Sequence, residues 1–132
     1  MPPPITAVRH LKVWVSDLAA SRAWYERVFG LVHETDFPEP DGTVLGSSFF
    51  FPGSRLRLAI RQDPERATAL RDADPFALAL TRQELDHWIE HLGIEHLDAL
   101  DIWHPPVIET PRGWVSGFRD PDGMQIRLYA DK

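Results

Sequence analysis

The 132-residue chain contains no cysteine. Disulfides, iron–sulfur clusters, thiolate-bound zinc and thiol nucleophiles are therefore excluded. It lacks an excess of base: 14 Lys and Arg stand against 20 Asp and Glu, a net charge of −6. That balance argues against the broad basic footprint of a nucleic-acid binder or of a protein drawn to an anionic membrane. No apolar run approaches the roughly 20 residues of a membrane span. Met1-Pro2-Pro3-Pro4 has neither the basic flank nor the apolar stretch of a secretion signal. There is no Gly-rich phosphate loop and no G-x-S-x-G nucleophile turn. A soluble cytoplasmic protein is expected, with no nucleic acid and no membrane as partner. What is present is a globular composition, 43% hydrophobic and 26% charged, unlike that of a disordered chain. The length suits one domain or two small modules. Five Trp and seven Phe are enough to line a pocket as well as fill a core.

Periodicity divides the chain into elements. Leu11, Val13 and Val15 alternate with His10, Lys12 and Trp14 as a strand. Ser16-Asp17 offers a helix N-cap, Leu18, Ser21, Trp24, Tyr25, Val28 and Phe29 fall on one helical face, and Gly30 stops the helix. Strands are predicted over 31–37, 44–51 and 55–60, with a turn at Pro38-Glu39-Pro40-Asp41-Gly42. Polar residues 62–75, with Pro64 and Pro75 near the ends, read as a linker. The pattern then restarts: a strand over 76–80, a helix over 81–92 ended by Gly93, a strand or loop over 94–97, and an irregular stretch over 98–110 with one strand around Ile102-Trp103. Strands over 114–119 and 125–129 flank the turn Asp120-Pro121-Asp122-Gly123. Gly53 to Leu58 aligns with Gly123 to Leu128 at an offset of 70, and Asp17-Leu18 with Glu84-Leu85 at 67. The chain reads as a βαβββ unit used twice, since one such unit needs a partner to cover its sheet.

The residues His10 to Tyr25 with Phe29-Gly30-Leu31, and Phe118 to Leu128 around Asp120-Pro121-Asp122-Gly123, resemble the opening and closing motifs of the vicinal oxygen chelate superfamily. That superfamily includes glyoxalase I, the bleomycin-resistance proteins and the extradiol dioxygenases. The resemblance spans residues 8–129 and implies a single α+β domain. Two paired βαβββ modules (about 8–61 and 76–129) would form a cupped eight-stranded mixed sheet around a pocket. In the family's enzymes a divalent metal is held by His, Gln or Glu from the first and last strands of each module. The corresponding positions here are His10, Arg57, Ala77 and Arg127. Ala77 has no donor atom, and a guanidinium offers N–H groups but no lone pair to a cation. No metal and no cofactor are therefore expected.

If the helices cover the faces bearing Leu11, Val13, Val15, Leu56, Leu58, Ile60, Ile126 and Leu128, then alternation turns His10, Lys12, Trp14, Arg55, Arg57, Ala59, Gln125, Arg127 and Tyr129 into the cup. Trp114, Ser116 and Phe118 are expected to share an inner face. The expected ligand site is thus cationic and aromatic: Lys12, Trp14, Arg55, Arg57, Trp114, Phe118, Gln125, Arg127 and Tyr129, with His10 as the one candidate catalytic group. Such a site suits a small anionic or aromatic molecule. The leading expectation is a metal-free binder. The alternatives are a metal-dependent glyoxalase-type lyase or dioxygenase, and a metal-independent enzyme with His10 as base and Arg57 and Arg127 stabilising an oxyanion. A homodimer is expected, because family members commonly pair modules within or between chains and a cupped sheet leaves an exposed edge. His87-Trp88-Ile89-Glu90-His91 matches H-x-x-E-H, but the wheel turns both histidines to solvent with no third ligand. Asp120-Pro121-Asp122-Gly123 lacks the later acids of a calcium loop. Trp103-His104-Pro105-Pro106 reads as a surface loop before a pocket lip. His33, His96 and the carboxylates of 95–101 show no ligand spacing.

Overall fold

The alternation around Val13 forms strand β1 (His10–Val15), whose Val13 and Val15 are fully buried while His10 and Lys12 are exposed. The computed structural model describes residues 1–94, 102–103 and 105–132. Two units follow the repeat, Met1–Ala67 and Thr68–Lys132, and each is taken in turn.

In the first unit Asp17 adopts extended backbone and its Oδ1 accepts from Ala20 N (3.1 Å), which starts α1 (Leu18–Phe29). Gly30 ends it at φ 64°, a left-handed conformation that glycine takes without a Cβ penalty. Strands β2 (Val32–Pro38), β3 (Val44–Phe50) and β4 (Arg57–Gln62) complete a four-stranded sheet of order β1-β4-β3-β2, with β1 parallel to β4 and the other pairs antiparallel. Tyr25 and Val28 of α1 are buried, as are Phe49, Leu58 and Ile60 on the same side of the sheet. Full burial of one such side chain is worth about 1.5–3 kcal/mol, so this seam fixes the register and with it the opposite face.

The second unit repeats the plan. Thr81 and Glu84 cap α3 (Arg82–Ile94) reciprocally: Thr81 Oγ1 accepts from Glu84 N (3.1 Å) and Glu84 Oε2 accepts from Thr81 N (3.0 Å). Strands β5 (Ala77–Leu80), β6 (Ile108–Thr110), β7 (Gly113–Arg119) and β8 (Gln125–Asp131) form a sheet of order β5-β8-β7-β6, again with one parallel pair, β5 with β8. At the β7–β8 turn Asp120 is buried and its Oδ1 accepts from Asp122 N and Met124 N, both at 3.0 Å. A hairpin turn accounts for that carboxylate.

Several elements differ from the expectation. Residues 62–75 include a helical turn, α2 (Pro64–Ala69), because the Asp63 carboxylate accepts from Arg66 N (3.1 Å) and caps it. Helix α3 continues through Gly93 to Ile94, since the capped, amphipathic run tolerates one glycine. Ile102 and Trp103 are not in a strand, and β6 forms where an irregular stretch was expected. The expectations placed on 95–101, including His96, and on His104 lie outside the described residues. No described helix is long and apolar enough to cross a membrane.

Candidate functional site

The register brings the four expected metal positions onto two equivalent rungs. His10 stands opposite Arg57 on β1 and β4, and Ala77 stands opposite Arg127 on β5 and β8. The offsets within the two rungs are again 67 and 70. Cross-strand partners share a face, so each arginine lies on the side of its sheet away from the buried seam.

Neither arginine is uncompensated. Arg57 Nε donates to Glu34 Oε2 at 2.9 Å, with both side chains only 24% exposed. Ser48 Oγ donates to Glu34 Oε1 at 3.0 Å. The Arg57 hydrogen bond, first, and then that of Ser48 hold the Glu34 carboxyl below the ordinary range. The Arg57 guanidinium also lies 4.4 Å from the Phe50 ring, its cross-strand neighbour. In the second unit Arg127 Nε lies 2.7 Å from Asp74 Oδ2. That nitrogen has no aligned hydrogen-bond acceptor, so the contact is an ion pair without a directed hydrogen bond. Its guanidinium sits 4.8 Å from the Trp103 ring.

The cleft in the first unit encloses about 250 Å3, just below the usual range for ligand pockets. His10, Lys12 and Arg9 supply its polar rim, and Ala59 and Phe37 supply apolar wall. Glu34, Thr35 and Ser48 complete the lining. Arg9 Nη1 lies 3.1 Å from His10 Nδ1. A guanidinium only donates, so Nδ1 accepts and the neutral ring carries its proton on Nε2. Trp14 lies outside the lining, with Lys12 and Arg66 5.3 and 5.5 Å from its ring.

The same face in the second unit is covered from within. Trp103 N donates to Gly117 O (3.1 Å), and the indole lies 2.6 Å from where a Cβ on residue 117 would stand. Gly117 is the cross-strand partner of Arg127, as Phe50 is of Arg57. Each arginine thus has an aromatic ring beside it, on the opposing strand in one unit and from a loop in the other.

Four expected positions are corrected. Arg55 is exposed and precedes β4, which begins at Arg57, so strand alternation does not apply to it. Trp114, Ser116 and Phe118 pair with Ala130, Leu128 and Ile126 and so occupy the face opposite Arg127. Phe118 is core, and the Trp114 ring has Arg82 and Lys132 5.4 Å away. Gln125 and Tyr129 do share the Arg127 face by alternation. Gln125 Nε2 donates to Asp72 O (3.3 Å), and the Tyr129 hydroxyl lies 3.4 Å from Thr110 Oγ1. Glu34 and Arg9 were not anticipated. Glu34 sits at a register shift between His33 and Thr35 in β2, and Arg9 just precedes β1; simple alternation reads neither. His87 is exposed, and among the described residues no group of three or more His, Cys, Asp or Glu is placed to hold a metal ion.

A family model described as the Glyoxalase/Bleomycin resistance protein/Dioxygenase superfamily matches residues 7–128. Among solved structures, a glyoxylase/bleomycin resistance protein/dioxygenase domain from Frankia sp. EAN1pec is 22% identical, with TM-score 0.75 over 98% of this chain and 100% of that one. TnmS3, an antibiotic binding protein from Streptomyces sp. CB03234, is 22% identical, with TM-score 0.74 over 99% and 100%. The fosfomycin resistance protein FosX from Listeria monocytogenes, solved with Mn(II) and 1S,2S-dihydroxypropylphosphonic acid, is 18% identical, with TM-score 0.70 over 98% and 93%. At these identities the likeness is one of fold. No curated protein matches the sequence.

Proposed function

Because the chain belongs to the Glyoxalase/Bleomycin resistance protein/Dioxygenase superfamily, we propose that it is a member that binds a small anionic or aromatic molecule without a metal ion. Fold alone does not choose between binding and catalysis: one structural relative is an antibiotic binding protein and another was solved with Mn(II). The donor set supports the choice. On the rungs where the family's enzymes place their ligands, His10 faces Arg57 and Ala77 faces Arg127, which leaves one coordinating atom donor among four residues.

The His10–Arg57 rung is the observation that carries this reading. Glu34 lines the same cleft as His10, but both its oxygens already accept hydrogen bonds, from Arg57 and Ser48. A base role for His10 is disfavoured because Arg9 occupies Nδ1, which makes Nε2 a donor in the neutral ring. The binding cleft is that of the first unit, where Lys12 and His10 line open space. A homodimer belongs to the same reading, supported by Val32 and Phe37 exposed on β2, an edge strand of its sheet. The test is a thermal-shift and calorimetric screen of anionic and aromatic compounds with and without EDTA. Binding that EDTA leaves unchanged, with no turnover of the bound compound, is the expected result. Binding or turnover that disappears with EDTA and returns with Mn2+ would overturn it.

A further inference from the structure

We infer that the cleft of the first unit is a receptor for a compact, doubly charged oxyanion of phosphoryl type, read by Arg9, His10 and Lys12 and not by Arg57 or Arg127. This rests on the metal-free binding reading above. Sequence alternation makes Arg57 and Arg127 the obvious anion receptors, but each has a carboxylate within ion-pair distance, Glu34 at 2.9 Å and Asp74 at 2.7 Å. Their charge is already answered. Arg9 and Lys12 line the same cleft, and among the described residues neither has a carboxylate within 4.0 Å. The one carboxylate in the lining, Glu34, is held by Arg57 and Ser48. The cleft therefore presents two cations that make no close ion pair, one guanidinium fork suited to bidentate contact and one ammonium acting as a point charge, with the Arg9 charge also helping to hold the Glu34 carboxyl low.

His10 adds a neutral donor to this pair. Arg9 Nη1 at 3.1 Å fixes His10 Nδ1 as acceptor, so Nε2–H remains for a ligand oxygen. Arg9 thus has two roles, positioning the His10 tautomer and supplying charge. Aromatic recognition is less well served. The Trp14 ring has protein cations 5.3 and 5.5 Å away, Phe50 is packed by Arg57, and Phe37 is the one phenyl ring of the lining. With Ala59 as the other apolar wall, there is room for a short apolar stem but no stacking pair for a flat ring.

The test is titration of the full chain, in EDTA throughout, with inorganic phosphate, acetate and phenol as probes, followed by ring-15N NMR of the histidines. Saturable phosphate binding is expected, about tenfold tighter than acetate, with the His10 nitrogens moving most. Lys12→Ala and Arg9→Ala should each weaken it about threefold to tenfold. Exposed Arg27→Ala on α1 should leave it unchanged. His10→Gln, which keeps an N–H donor, should retain binding that His10→Ala loses. Phosphate binding that does not saturate, or that Lys12→Ala leaves intact, overturns the inference. Saturable phenol binding without phosphate binding overturns the oxyanion assignment while the metal-free reading stands. Phosphate binding that appears only after Mn2+ replaces EDTA overturns both.

Discussion

The two βαβββ units solve one problem in different ways. In each, an arginine stands opposite the first strand of its unit, Arg57 across from His10 and Arg127 across from Ala77, and in each that arginine lies against a carboxylate and an aromatic ring. In the first unit both partners come from strands, Glu34 from β2 and Phe50 from β3, so the face in front of His10 stays open. In the second they come from outside the strands, Asp74 before β5 and Trp103 before β6, and the indole lies on Gly117. A repeated scaffold can therefore keep a local interaction while changing which face is available. What decides availability is the residue opposite the arginine: phenylalanine fills its own space, and glycine admits a ring from elsewhere.

The sharpest way to break the comparison is at a pair of equivalent glycines, Gly46 opposite Arg61 and Gly113 opposite Asp131. At Gly113 a Cβ would collide with the Ala130 carbonyl oxygen, whereas at Gly46 the nearest atom, the Ile60 carbonyl oxygen, is 3.5 Å away. Gly113→Ala should cost about 3 kcal/mol or more in denaturant unfolding, and Gly46→Ala should stay within about 0.5 kcal/mol. Equal costs would show that the two sheets are not distinguished by this approach.

Next in size is Gly117→Ala, expected to cost about 1–3 kcal/mol because the indole must shift. In a Trp103→Ala background that cost should fall towards zero, a coupling that a double-mutant cycle measures. Additive costs would mean that Trp103 does not occupy the face.

A smaller contrast separates the two ion pairs. Glu34→Ala should lower Tm more than Asp74→Ala, because Glu34 makes directed hydrogen bonds with Arg57 and Ser48, whereas the Asp74 contact is without one at Arg127 Nε and Asp74 is the more exposed. The reverse order would remove the strand-built pair as the tighter one.

The smallest effect is a pH dependence. Glu34 folds with its pKa below the unfolded value of about 4.3. Its contribution is therefore present above that value and is lost as pH falls through the lower folded-state pKa. Glu34→Gln should flatten the acid limb of a Tm-against-pH curve below about pH 4.3 relative to the parent. Asp36, held low first by Ser47 and then by His33, works in the same direction and keeps part of the slope.

Much of the fold is legible in the sequence because its signals are local. Asp17 and Gly30 bracket α1, and the turn around Gly123 fixes the β8 register that sets Arg127 opposite Ala77. The site is legible only in part. Alternation places His10, Lys12 and Arg57 on one face, but it is silent on Glu34, which sits at a register shift in β2, and so it leaves Arg57 looking uncompensated. It also fails at β7, where Trp114 and Phe118 are read as inward although pairing with Ala130 and Ile126 turns them to the other face. Strand pairing, a long-range property, decides both cases.

The central claim is that His10 has no coordinating company on its rung. Elemental analysis of the full chain, purified without chelator and compared with His10→Ala, addresses it directly. Far less than one transition-metal ion per chain, the same in both proteins, is the expected result. One ion per parent chain, lost on His10→Ala, would contradict it.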